Sequence, residues 1–198
     1  MINELIAIME NYDLICYHST KVLRRESIEK DGLKPNEWSW YSQTLKESFM
    51  RIGINNVDLK KAIELVKQEY DRKYIGREPA LCFYSDLSLV RDDGYAGYEQ
   101  FCENIGGELA RWALKKKEPS LYKLLKQNSE QLIVKFKLPF SDIVYYEKDI
   151  IVYQFVSYVA AKYFWNYEYQ IQFDSITRKV VTPDKILELI PYDKIIDY

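Results

Sequence analysis

The one histidine of the chain, His18, stands in the run Cys16-Tyr17-His18-Ser19-Thr20, where an imidazole is followed by two hydroxyls. That trio can orient polar groups of a ligand. Ser19 and Thr20 can also cap a following helix and leave its first amides facing a ligand. The other reading is a capping box beside a core histidine, and the residues alone leave both open. A second cluster is ALCFYSDLSLV followed by DDGYAGY. Alternation along a strand sends Phe83 and Tyr84 to opposite faces, so one ring faces the core and the other can stack on a flat heterocycle. Gly94 and Gly97 bracket a tight loop that brings Tyr98 close. Simple packing of these rings is the alternative. The third cluster is WNYEYQIQF, in which Tyr169, Ile171 and Phe173 alternate with Glu168, Gln170 and Gln172. A carboxylate such as Glu168 among rings is partly desolvated, a setting for acid/base or sugar-cation chemistry, unless it is simply a solvated strand end. Glu108, after Gly106-Gly107, is explained by the dipole of the helix it opens, with a place in the site as the other reading.

These residues need elements to hold them. A short helix is expected over residues 2–11, and DLICYHS reads as a strand. KVLRRESIEK follows in helical order and stops at Asp31-Gly32, with Pro35 beyond. NNVDLKKAIELVKQEYDRKY is the clearest helix, with Asn56 as cap and Leu59, Ile63, Val66 and Tyr70 on one stripe. ALCFYSDLSLV is expected as a buried strand, LARWALKKK and LYKLLKQ as helices, and QLIVKFKL as a strand facing inward through Leu132, Val134, Phe136 and Leu138. A helix around 149–164, a strand at EYQIQF and a last helix, DKILELI, opened by Thr182-Pro183, complete the order. Strands separated by irregular segments favour an α+β fold over a doubly wound sheet.

With 198 residues, no linker and no repeat, the chain is expected to form a single domain, residues 1–198. A content of 47% apolar and 15% aromatic residues can fill a sizeable core, and 18 tyrosines suit amphipathic pockets and interfaces. The formal net charge of -2 gives no general pull towards nucleic acid or membrane. The basic runs KVLRR and ALKKK can meet phosphates, although solvated helix faces explain them equally well. Three scattered cysteines without CxxC spacing, beside one histidine, do not make a zinc site, and Cys16 and Cys82 sit in apolar, strand-like surroundings. The N-terminus lacks a basic leader, and IIVYQFVSYVAAKYFW is too short and too interrupted by Gln154, Ser157 and Lys162 to span a bilayer. A cytoplasmic location is the expectation.

In their order, the three clusters resemble the ADP-ribosyltransferase fold, in the branch with a His-Tyr-Glu triad that includes the poly(ADP-ribose) polymerases. That branch opens on a strand ending in H-G-[ST], followed by an isoleucine and a GL pair, as YHST…SIEKDGLKP does here. Its second motif is a strand with a tyrosine, resembled by LCFYSD, and its third a glutamate in a context like N-E-Y-x-V, to which WNYEYQIQF is similar. The segment LCFYSDLSLVRDDGYAGYEQF also resembles abortive-infection proteins of bacterial phage defence. Ser19 stands where that family often has glycine, Phe83 or Tyr84 can occupy its tyrosine position, and Asn166 stands where many bacterial toxins of this fold have glutamine or glutamate.

The resemblance implies one ADP-ribosyltransferase-like domain with a split, mixed or antiparallel sheet and flanking helices. It implies NAD as substrate, cleavage of the nicotinamide–ribose bond, and pentosyl transfer to a protein or nucleic acid. A toxin with an antitoxin partner, or an anti-phage effector, fits that role. Glu168 would be the catalytic carboxylate facing the oxocarbenium-like ribose, His18, Ser19 and Thr20 would contact ribose and nicotinamide, and Tyr84 (or Phe83) would stack, with Tyr98 a second ring. An RNA 2′-phosphotransferase of the same fold would need converging arginines, which the sequence does not identify. The rival from another class is a non-catalytic interaction module, toxin- or phage-related. The module requires an exposed tyrosine patch and a solvated Glu168. The enzyme requires a cleft with His18 and Glu168 on adjacent strands.

Overall fold

The apolar run that opens at Asp13 becomes β1 (Asp13–Val22), the middle strand of an antiparallel sheet, in a computed structural model that describes residues 2–23, 25–74, 78–87, 89 and 107–197. On one side β1 pairs along its whole length with β3 (Glu130–Pro139), from Asp13 opposite Pro139 to Val22 opposite Glu130. β3 pairs in turn with β5 (Ile186–Pro191). On the other side β1 meets β2 (Leu81–Tyr84) at one register position, Tyr17 opposite Tyr84, and β2 pairs with β4 (Asp174–Thr177). The order β4-β2-β1-β3-β5 is one continuous antiparallel sheet among the described residues. With the helices it makes the α+β class that the element order predicts.

Alternation gives the sheet two unlike faces. One carries Cys16, Leu132, Val134, Phe136, Leu138, Leu81 and Phe83, and is covered by Ile6 of α1 (Ile2–Met9), Ile28 of α2 (Arg25–Asp31), and Ile151 and Val152 of α7 (Tyr145–Ala160). Phe83 meets Phe136 edge-on at 6.3 Å between ring centroids. The other face carries Tyr17, Ile133, Tyr84 and Ile190 in a smaller cluster with Leu89. A separate helical core joins α3 (Trp38–Arg51), α4 (Asn56–Lys73), α5 (Gly107–Lys117) and α6 (Pro119–Gln127) through Tyr41, Phe49, Val66, Leu109 and Leu125.

Local chemistry explains the element ends. Asn55, one residue before the expected Asn56, caps α4, its Oδ1 accepting from the amides of Val57 and Asp58 at 3.0 Å each. Gly32 ends α2 in the left-handed region (φ 73°), and its neighbour Leu33 exchanges two backbone bonds of 2.9 Å with Val181. Two expected elements differ. DKILELI is not a helix: only Pro183–Lys185 makes a 3-10 turn, and Ile186–Pro191 extends because β3 offers it a partner edge. The helix after β1 begins at Arg25 rather than Lys21, because Thr20, Lys21 and Val22 stay paired to β3.

From Ile150 onward α7 carries apolar side chains on its outer as well as its inner side, interrupted by Gln154 and Ser157. Ile151 and Val152 face the core, and Lys148, buried, donates to Glu10 at 2.6 Å. After Ala160 the helix widens into a π-turn, Ala161–Trp165, closed by Asn166 in the left-handed region (φ 48°). No helix among the described residues is long and apolar enough to cross a membrane.

Candidate functional site

His18 lies in mid-strand, half-buried, on the face that carries the main core and opposite Val134. Its Nδ1–H donates to the Cys82 carbonyl at 2.8 Å, which makes Nε2 the basic nitrogen of the neutral ring. Burial holds its pKa below the ordinary value, and the bond to Cys82 opposes that only in part. The imidazole therefore stands in for a ladder bond where β1 and β2 pair at a single position. Ser19 and Thr20 do not cap a helix, since both lie inside β1. Thr20 shares the face of His18. Ser19 is on the opposite face, 5% exposed, with an Oγ that has no hydrogen-bond partner among the described residues.

The second motif divides in the same way. Phe83 is on the face of His18 but fully buried in the core, while Tyr84 is on the opposite face with Tyr17. Tyr84 is also buried, at 6%, so neither ring is the outward-facing one that alternation alone suggests. His18 and Tyr84 thus lie on opposite sides of the sheet. Cys16 is buried, and burial pushes its thiol pKa up, whereas Cys82, expected in an apolar setting, is exposed. Tyr98 lies outside the described residues. Glu108 is the second residue of α5.

Glu168 does not begin a strand. β4 starts six residues later, at Asp174, because its partner β2 ends at Tyr84, which is opposite Asp174. Residues ahead of Asp174 have no strand edge to join. Ser85 binds them instead: its amide donates to the Phe173 carbonyl (3.0 Å), its hydroxyl to the Ile171 carbonyl (3.2 Å), and it accepts from the Phe173 amide (2.8 Å). Glu168 is exposed, and β2 stands between β1 and β4 in the sheet order. The adjacent-strand arrangement of His18 and Glu168 is absent.

Two features that the motifs did not flag are surface-facing. The first is the outer side of α7 and its π-turn. Ile150, Tyr153, Val156, Val159, Tyr163, Phe164, Trp165 and Tyr167 are all exposed, Tyr163 by 70%, Phe164 by 80% and Trp165 by 72%. The signal in the sequence is that apolar residues outnumber what one buried face needs, with only Gln154, Ser157 and Lys162 between them over residues 150–165. The second feature is a groove of about 370 Å³ beside it, between the first turn of α7 and the β2–β4 pair. Tyr84, Glu147, Gln154, Asp174 and Ser175 line it, with Ile150 at its junction with the aromatic side. The Val144 amide, bonded to the Ile176 carbonyl at 3.3 Å, and the Thr177 hydroxyl, donating to the Asp142 carbonyl at 2.7 Å, fix the helix start against β4. The carboxyl of Glu147 is pushed up by burial and then by Asp174, with the Ser175 hydroxyl acting in the opposite direction. Among the described residues no group of His, Cys, Asp or Glu side chains could hold a metal ion.

No family model matches this chain, and neither a curated protein nor a solved structure is significantly similar to it.

Proposed function

We propose that this chain acts as an interaction module. The observation that carries the reading is the outer side of α7: five aromatic rings and three aliphatic side chains, all exposed, within residues 150–167. The rings, at about 150–250 Å² each and two-thirds or more uncovered, leave on the order of 600 Å² of ring surface exposed within residues 153–167, as much as the largest apolar patch of a typical monomer, which is often functional. A solvated Glu168 on an irregular segment supports the same reading, because a catalytic carboxylate needs fixed, desolvating walls. The test is incubation of the purified chain with nicotinamide-labelled NAD and a cell lysate. Wild type and Glu168→Ala are expected to release nicotinamide equally, at background level. Release that depends on Glu168 would overturn the module reading.

A second reading, ADP-ribosyl transfer from NAD, is favoured by one observation. Ser19 and Tyr84 share a sheet face, and the buried Ser19 hydroxyl has no partner among the described residues. Nicotinamide release that survives Glu168→Ala but is lost in Tyr84→Ala would support it.

A further inference from the structure

The groove beside α7 holds two carboxylates close enough for Asp174 to disfavour the charged form of Glu147. No lysine, arginine or histidine is among its described lining residues. Ser175, 4% exposed, lines the same groove, and its hydroxyl bears on the Glu147 carboxyl. Two like charges side by side, with no cation among the described lining residues, are an arrangement that a cationic donor would complete. The amide of Gln154 adds a further polar group, although the Tyr169 hydroxyl already donates to its Oε1 at 2.6 Å.

The groove is continuous with the aromatic side through Ile150, which lines the one and is exposed on the other. The charge around the patch narrows the choice of occupant. Over residues 145–174 the acidic side chains are Glu147, Asp149, Glu168 and Asp174, while the basic ones are Lys148, buried against Glu10, and Lys162. Phosphate-bearing surfaces, nucleic acid or anionic lipid, are bound by clustered lysine and arginine, and residues 145–174 contain no such cluster. A protein with apolar side chains flanking a cation matches both halves of the surface. Arginine suits the cationic half better than lysine, because its planar fork can meet two carboxylates at once and sheds water more readily.

We propose that the outer side of α7 and the adjoining groove form one docking surface for a polypeptide segment that presents an arginine beside apolar side chains, the guanidinium lying between Glu147 and Asp174. Apolar residues of the segment cover Tyr153, Tyr163 and Trp165, and the arginine reaches past Ile150 into the groove. The proposal rests on the interaction-module reading and names the partner of that surface.

The test uses the full chain and two synthetic probes, acetyl-Leu-Leu-Arg-Leu-Leu-amide and its citrulline counterpart, which has the same length but no charge. Binding is followed by tryptophan fluorescence and by NMR shifts. The arginine peptide is expected to bind about tenfold more tightly, the effect of a partly desolvated charge pair. Asp174→Asn should bring the two peptides within about twofold of each other, and Trp165→Ser should weaken both alike. Equal affinities for wild type, no binding of either peptide, or an arginine preference that survives Asp174→Asn would overturn the proposal. Trp165-dependent self-association in sedimentation that excludes the arginine peptide would make a second copy the occupant, and would overturn it too. Glu168-dependent NAD cleavage with the arginine preference intact would refute the module reading alone.

Discussion

Replacing Gly32 by alanine tests whether α2 is closed by the contact described. The new Cβ would lie 2.0 Å from the Val181 carbonyl oxygen and 3.1 Å from its carbon, both backbone atoms that cannot rotate aside. The residue would also keep a left-handed backbone, at about 1–2 kcal/mol for a non-glycine residue. Moving Val181 away weakens the paired bonds between Leu33 and Val181, worth about 1 kcal/mol each, and loosens two buried core side chains. A loss of about 3–4 kcal/mol follows, or roughly 10 °C in Tm for a chain of this size. Gly53 is the internal control: its φ is 79°, yet nothing lies within 4 Å of a Cβ there, so Gly53→Ala should cost only about 1 kcal/mol. Thermal and urea unfolding by circular dichroism measure both variants. Equal losses for the two, or a fall of less than about 3 °C for Gly32→Ala, would refute the close approach.

Two further outcomes concern the sheet. Because the folded state holds His18 below its ordinary pKa, the unfolded chain binds more protons between that lowered value and about pH 6.5. The stabilisation is therefore complete above about pH 6.5 and is lost as the pH falls through that window. His18→Gln should cost about 1 kcal/mol at neutral pH, and its urea midpoint should converge on that of wild type under mild acid; a gap that stays constant or widens would count against this. For the thiols, native-state maleimide labelling followed by mass mapping should modify Cys82 and spare Cys16 until urea unfolds the chain. Early labelling of Cys16 would contradict its burial.

What could be read from residues alone follows the range of the interactions involved. Asn55–Asp58, Asp31-Gly32 and Pro119 act within a turn of chain, and the helix ends they set lie within a residue or two of those expected. Inward alternation at Leu132, Val134, Phe136 and Leu138 was legible for the same reason, since one strand carries its own pattern. The misses are non-local. EYQIQF alternates as well as any strand here, but β2 ends before it can offer a partner. ILELI is equally compatible with a helix, and only the edge of β3 makes it a strand. α3 carried Tyr41, Leu45 and Phe49 four residues apart, a helical spacing that the polar and aromatic residues around it obscured. The motif residues can be picked out by type and order, but the face each occupies depends on sheet register. That register separates His18 from Tyr84.

The junction between β1 and β2 has a consequence for motion. β1 and β3 must part along ten paired residues, whereas β2, with β4 beyond it, joins β1 through one register position and the imidazole bond, and touches β3 through the edge-on Phe83–Phe136 contact. Opening free energies vary across a fold with such differences, so the β2–β4 ribbon is the part of the sheet set to swing away first, with faster amide exchange than β1 and β3. Cys82, Tyr84, Asp174 and Ser175 all ride on that ribbon. One wall of the acidic groove is therefore carried on the weakly joined part of the sheet, and the single histidine is the latch across the seam.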